Sequence, residues 1–233
     1  MRRSKLLSLH AIAVPHQTSG SPTGLLILLH GWGANCQDLL GIAPYLQRPD
    51  FHMAFPDAPM PHPLVPGGRM WYSLSETFTA TGTQFGLGDD FSSELEQSRH
   101  ALLNWIHNLT AETQIPLCRT VLAGFSQGGA MTLNLACRLP FAALMVMSGY
   151  LHAPLPERPE DLEFPLPPIL MGHGRYDPAV PLDLAQKARD QLLRLNAPLQ
   201  YHEFDMGHEI SLELLNLMQT FMGEVVTQIQ EKA

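Results

Sequence analysis

Thr120-Val121-Leu122-Ala123-Gly124-Phe125-Ser126-Gln127-Gly128-Gly129-Ala130-Met131-Thr132-Leu133 carries the strongest architectural signal in the chain. The apolar run Thr120 to Ala123 predicts a buried strand, and the residues after Gly128 predict a helix. Between them lies a G-x-S-x-G turn. The chemistry explains both glycines. Ser126 has to stand on a sharp, strained turn for its hydroxyl to project, and side chains at Gly124 and Gly128 would collide with the neighbouring helix and strand. The helix that leaves the turn aims its free N–H groups and positive dipole end at the place where negative charge would develop.

An activated serine needs a base and an acid to orient that base. Moving outward, Pro168-Ile169-Leu170-Met171-Gly172-His173-Gly174 reads as a short buried strand ending in a glycine turn, with Arg175-Tyr176-Asp177-Pro178 after it. Leu199 to Phe204 alternates as a further strand, and Asp205-Met206-Gly207-His208-Glu209 follows it. Asp177 and His208 therefore fall just past strand ends, at the sheet edge where the Ser126 turn lies. The order Ser126, Asp177, His208 assigns the roles: Ser126 attacks an acyl carbon, His208 takes and returns the proton, and Asp177 fixes the histidine tautomer. Two other acids fit less well. Asp205 is too close to His208 in sequence, and Asp183 falls where the next helix begins.

A third segment completes the chemistry. Leu25-Leu26-Ile27-Leu28-Leu29 is a continuous apolar run, as expected of a strand buried on both faces. It ends in His30-Gly31-Trp32-Gly33-Ala34-Asn35. The backbone N–H groups of Trp32 and Gln127 are the expected oxyanion donors, with Gly31 and Gly33 allowing close backbone approach. His30 is expected to brace this loop rather than to move protons.

The remaining pattern alternates strands with helices. Strands are expected at His52 to Phe55 and Ala142 to Met147, and an edge strand on the alternating Leu7, Leu9, Ala11 and Ala13. Helices are expected from Phe91 to Glu112, after Ser126 to Arg138, from Leu182 to Asn196, and at the C-terminus. The fold class is α/β, a mostly parallel central sheet covered by helices on both faces, in a single domain over residues 1–233. Residues 56–90 form a long, Pro- and Gly-rich, insertion-like loop with many apolar side chains: Met60, Leu64, Val65, Met70, Trp71, Phe78 and Phe85. A loop of that length and composition is expected to shape a pocket.

Composition narrows the function classes. The 233 residues are 45% hydrophobic, enough for a sizeable core. A net charge of −8 excludes a phosphate backbone as a natural partner. No apolar run reaches membrane-spanning length, so stable membrane insertion is not expected. Cys36, Cys118 and Cys137 are odd in number and lack C-x-x-C spacing, which reads as reduced thiols. Met1-Arg2-Arg3-Ser4-Lys5 and the residues to Val14 imitate a leader, but Ser8 and His10 break the apolar part, and a cytoplasmic location is expected. Pro61-His62-Pro63 is too isolated to be a metal site, and no second ligand group joins the cluster from His202 to Glu209, so no catalytic metal and no cofactor is expected.

The chain resembles the phospholipase/carboxylesterase family of α/β-hydrolases, which includes acyl-protein thioesterases and small carboxylesterases. The residues that carry the likeness are Leu29-His30-Gly31-Trp32-Gly33, Gly124 to Met131, His173 to Pro181 and Gly207-His208-Glu209, with Gly67-Gly68-Arg69-Met70-Trp71-Tyr72 matching the segment before a Trp-aromatic-Asp motif. The family often has Leu where this chain has Trp32, and Ser73 replaces the usual Asp. The resemblance implies an α/β-hydrolase fold and a serine hydrolase of carboxylic esters, with lysophospholipids and acyl thioesters within the substrate class. It also puts Trp71 and Tyr72 near the acyl site, where they are expected to bind substrate. The partner is a small-molecule ester or thioester, and the protein a monomer or homodimer. An acyltransferase or cofactor-free perhydrolase would use the same triad. A catalytically silent module would be expected to have lost part of it.

Overall fold

The computed structural model describes residues 9–46, 48–79, 82–87 and 91–231. The basic start of the chain and Leu7 lie outside the described residues, as do the side chains of Phe78 and Phe85. The strands are β1 (Ala11–Val14), β2 (Gly24–Leu29), β3 (Phe51–Pro56), β4 (Met60–Pro61), β5 (Arg69–Met70), β6 (Leu74–Thr79), β7 (Gly82–Leu87), β8 (Thr120–Phe125), β9 (Ala143–Met147), β10 (Ile169–Gly174) and β11 (Leu199–Phe204). The α-helices are α1 (Phe91–Thr113), α2 (Gln127–Leu135), α3 (Leu182–Arg194) and α4 (Leu212–Glu231). Seven strands make one sheet in the order β1-β3-β2-β8-β9-β10-β11. Every neighbouring pair in it is parallel except β1 with β3.

The apolar runs form this sheet because both of its faces are covered. Leu25, Ile27 and Leu29 point to one face, where they pack with Leu102 and Ile106 of α1, Met131 of α2 and Leu192 of α3. Leu26 and Leu28 point to the other, against Leu46 and the Met218, Phe221 and Met222 side chains of α4. In α4 the buried positions Leu214, Leu215, Met218, Phe221, Met222, Val225, Val226 and Ile229 recur at the 3.6-residue period of one helical face. Full burial of a Leu or Phe contributes about 1.5–3 kcal/mol, so the two layers hold the sheet's geometry firmly.

Several elements differ from the sequence expectation. The edge strand covers Ala11–Val14, so Leu9 precedes it, and α3 stops at Arg194 rather than Asn196. The helix after Ser126 ends at Leu135, with Ala136 to Arg138 continuing as turns. The stretch expected to be an irregular loop contains two hairpins, β4 with β5 and β6 with β7. The two-residue strands β4 and β5 carry too little periodicity to be seen in a sequence.

Candidate active site

Ser126 sits where β8 ends and α2 begins, with φ 55° and ψ −118°. That conformation is costly for a residue with a Cβ, and the surroundings hold it in place. The Ser126 N–H donates to the Met147 carbonyl at 2.8 Å, and its carbonyl accepts the Ala130 N–H at 3.0 Å. A Cβ at Gly124 would collide with the Gly128 carbonyl, and one at Gly128 with the carbonyls of Leu29 and His30. The two glycines of the motif thus let β8, α2 and the end of β2 close around the serine.

The acid and histidine loops lie side by side at the C-terminal ends of β10 and β11. The Arg175 N–H donates to the Phe204 carbonyl at 2.8 Å and the Tyr176 N–H to the Met206 carbonyl at 3.1 Å. His208 Nδ1 donates to Asp177 Oδ2 at 2.7 Å. A carboxylate only accepts, so this bond puts the histidine proton on Nδ1 and leaves Nε2 as the basic nitrogen. Asp177 Oδ1 accepts the N–H groups of Ala179 at 2.9 Å and Val180 at 2.8 Å. Burial works to raise the Asp177 pKa, but the His208 bond, then the two backbone bonds, outweigh it and hold the carboxyl below its usual range. His173, fully buried, donates from Nε2 to the Val180 carbonyl at 2.9 Å and so staples the same loop. The Phe125 ring packs on the His208 imidazole with centroids 4.8 Å apart. Asp205 is instead paired with Arg175 at 2.6 Å and largely exposed. Asp183 pairs with Lys187 at 2.7 Å.

Ser126 and His208 open into one cleft of about 630 Å³. Its walls include Trp32, Leu74, Tyr150, Leu151, Val180 and Leu184, with His152 among them. The Trp32 loop is tied down from two sides. Gly33 N–H donates to the Arg69 carbonyl at 2.9 Å, and Arg69 N–H to the Ala34 carbonyl at 2.8 Å. His30 is buried, with Nδ1 donating to the Gly31 carbonyl at 2.7 Å and Nε2 accepting the Ala58 N–H at 3.0 Å. Both ring nitrogens are used by backbone groups, and burial pushes the imidazole pKa down. His30 is a neutral brace of this loop.

Trp71 and Tyr72 stand elsewhere than expected. Both are fully buried, and neither lines the cleft. The Trp71 indole N–H donates to the His30 carbonyl at 3.0 Å, and the Ser98 hydroxyl donates to the Trp71 carbonyl. Tyr72 reaches the cleft only from behind: its hydroxyl lies 2.7 Å from the Tyr150 hydroxyl and 3.0 Å from His152 Nδ1. Large aromatic rings in a Pro- and Gly-rich segment gain more from the core than from a solvated wall.

Glu94, Tyr150 and His152 enter the site region without having been expected there, and the Gln127 side chain takes a role beyond the one expected of its backbone. The Gln127 side chain clamps the Trp71-Tyr72 backbone, with Oε1 accepting the Trp71 N–H at 2.9 Å and Nε2 donating to the Tyr72 carbonyl at 2.7 Å. Glu94 of α1 accepts the Ser73 N–H at 2.6 Å and the Ser73 hydroxyl at 3.0 Å. A carboxylate missing from position 73 thus meets that segment from α1. Tyr150 and His152 line the cleft. Burial pushes the Tyr150 phenol up to about 12 and the His152 imidazole down to about 4. Their position after β9, at the C-terminal edge of a parallel sheet, is the signal that would have found them.

Among the described residues, no helix is long and apolar enough to cross a membrane. The model of the Phospholipase/Carboxylesterase family matches residues 10–226. The acyl-protein thioesterase 1 of Neurospora crassa is 33% identical over 130 residues, covering 52% of each chain. The chain thus spans about half the length of that relative. The acyl-protein thioesterase 1 of Mycosarcoma maydis is 28% identical over 239 residues, covering 94% of this chain and 98% of its own. The crystal structure of esterase PE8 superposes with a TM-score of 0.81 at 28% identity, covering 94% of this chain and all of that one.

Proposed function

Since the chain belongs to the phospholipase/carboxylesterase family, we propose that it is a serine hydrolase cleaving carboxylic esters or acyl thioesters through an acyl-enzyme on Ser126. The observation that carries this reading is one shared cleft. It holds Ser126 on its strained turn and a His208 whose Nδ1 is tied to Asp177 at 2.7 Å. His208 Nε2 takes the Ser126 proton as the hydroxyl attacks, and returns it to the leaving alcohol or thiol. The backbone N–H groups of Trp32 and Gln127 receive the oxyanion, aided by the N-terminal dipole of α2. Water then repeats the sequence on the acyl-enzyme. Leu74, Leu151, Val180 and Leu184 offer the acyl chain apolar surface. Trp71 and Tyr72 act as anchors behind that surface. The whole chain is read as one hydrolase domain. Its three cysteines, none in a disulfide, support a cytoplasmic location.

The test is covalent labelling with a fluorophosphonate together with turnover of simple esters and acyl thioesters. Label is expected on Ser126. Ser126→Ala should lower kcat by up to about a million-fold, His208→Ala about as much, and the double variant little more. A folded Ser126→Ala protein with near-parent turnover would sink the assignment.

A further inference from the structure

Outside the cleft, three side chains with metal-binding atoms converge from three segments. His10 precedes β1, Cys36 lies in the loop after β2, and Asp57 follows β3. His10 Nδ1 is 3.0 Å from Asp57 Oδ2 and 3.7 Å from Cys36 Sγ. One ligand atom from each residue lies within 4.8 Å of the others. In a tetrahedral Zn²⁺ site with bonds of about 2.0–2.3 Å, ligand atoms stand roughly 3.3–3.6 Å apart. The two separations bracket that range, so small side-chain shifts would close the set on one ion.

The frame is already organised for it. Asp57 Oδ1 accepts the Cys36 N–H at 2.7 Å, which leaves Oδ2 facing the histidine. The Asp57 N–H donates to the His10 carbonyl at 2.7 Å. Cys36 is buried, the Asp57 side chain is 16% exposed and the His10 side chain 70% exposed. An ion could therefore enter from the His10 side and keep water in a fourth position.

We propose that His10, Cys36 and Asp57 bind one thiophilic divalent cation, Zn²⁺ by its donor set, which clamps the loop after β2 to the β1–β3 edge of the sheet. A thiolate, an imidazole and a carboxylate suit zinc, whereas magnesium and calcium favour oxygen alone. Binding releases the Cys36 thiol proton to solvent. The carboxylate of Asp57 holds the His10 proton on Nδ1 before binding, so His10 shifts that proton to Nε2 through solvent and presents its Nδ1 lone pair to the ion. Asp57 is already a carboxylate, and no group is oxidised or reduced. None of the three lines the cleft, so the ion would stiffen the frame rather than touch substrate. The frame matters because Cys36 shares its loop with Trp32, and Asp57 adjoins Ala58, whose N–H holds His30.

The test uses the full-length, reduced protein stripped of metal and titrated with Co²⁺. One equivalent should give thiolate-to-cobalt charge-transfer absorption that Zn²⁺ displaces, and Zn²⁺ should raise Tm. His10→Ala, at an exposed position, and Cys36→Ser should each lose that absorption and the Tm rise. They should weaken cobalt binding by more than about tenfold, the lower range for loss of even a supporting residue in such sites. Cys118→Ser, at an exposed thiol, should keep both. If Cys36→Ser does not fold, His10→Ala decides. The proposal is overturned if stoichiometric Co²⁺ gives no charge-transfer band, which would leave a hydrogen-bonded trio without an ion. It is equally overturned if the band survives His10→Ala or disappears with Cys118→Ser.

Discussion

His152 gives the fold a measurable sensitivity to acid. Its ring contacts Tyr72, Phe91 and Tyr150, with centroids 5.0, 5.7 and 6.1 Å away. Its Nδ1 meets the Tyr72 hydroxyl at 3.0 Å. These neighbours are neutral, so nothing offsets the cost of burying an imidazolium, and the pKa is held at about 4 against an ordinary 6.5. The sign follows from linkage. Between pH 6.5 and 4 the unfolded chain binds a proton at this position that the folded chain refuses, so stability falls as pH falls through that window. The gap of about 2.5 units, at 1.36 kcal/mol each, corresponds to roughly 3 kcal/mol in total, of which about 2 kcal/mol is lost between pH 7 and pH 5. The assay is urea unfolding of the parent and of His152→Phe at both pH values. Other buried groups such as His30, also held below its ordinary range, are common to both proteins and cancel. The parent should lose about 2 kcal/mol more than the variant on acidification, or roughly 4–8 °C in Tm for a chain of this size. Equal losses in the two proteins would refute the claim that a neutral imidazole with no charged partner lines the cleft.

Three further outcomes follow from the same geometry. Asp177→Asn should fold, because an amide oxygen can still accept the Ala179 and Val180 N–H groups, yet lose on the order of 10⁴ in kcat through the wrong His208 tautomer, measured by steady-state ester hydrolysis. Gln127→Leu leaves the Trp71 N–H and Tyr72 carbonyl buried without partners, at about 1–3 kcal/mol each, so its urea midpoint should fall well below the parent's at unchanged m. Trp71→Ala should cost about 3–5 kcal/mol in stability and leave the ranking of kcat/KM among esters of increasing acyl length unchanged. Leu151→Ala, in the cleft wall, should shift that ranking; a shift with Trp71→Ala instead would return that residue to the acyl site.

The main frame was legible because its signals are local and redundant. Leu25 to Leu29 is apolar without interruption, and only a strand covered on both faces accommodates that in so short a run. The geometry around Ser126 was legible for a similar reason: glycines at 124 and 128 have few uses besides letting backbones touch. What the sequence hid depends on contacts far apart in the chain. Nothing near Gln127 announces that its amide reaches residues 71 and 72, and nothing near Glu94 marks it as the partner of Ser73. The family resemblance puts Trp71 and Tyr72 near the acyl site, and an aromatic pair in a long, Pro-rich stretch offers no local sign against it. Their burial is decided by α1 and by the segment after β9, which no local pattern reveals. The trio His10, Cys36 and Asp57 was likewise invisible, since spacings of 26 and 21 residues match no ligand motif.

These long-range contacts join the two halves of the proposed chemistry. Gln127 carries a candidate oxyanion donor on its backbone and holds the Trp71-Tyr72 segment with its side chain. Tyr72 in turn holds Tyr150 and His152, which form the cleft wall. The path from the residue beside the serine to the cleft wall therefore runs through buried hydrogen bonds to the Trp71-Tyr72 backbone, along the Tyr72 side chain, and through part-buried bonds to Tyr150 and His152. In a low-dielectric interior each member is expensive to leave unpaired, so the run moves as a unit or not at all. The position of the proposed acyl wall relative to Ser126 is thus tied to the same α2 N-terminus that carries the proposed oxyanion donor. Acyl preference in this fold is accordingly tuned most cheaply at side chains that only line the cleft, such as Leu151 and Leu184, because they alone can change without disturbing the run that aligns the reacting groups.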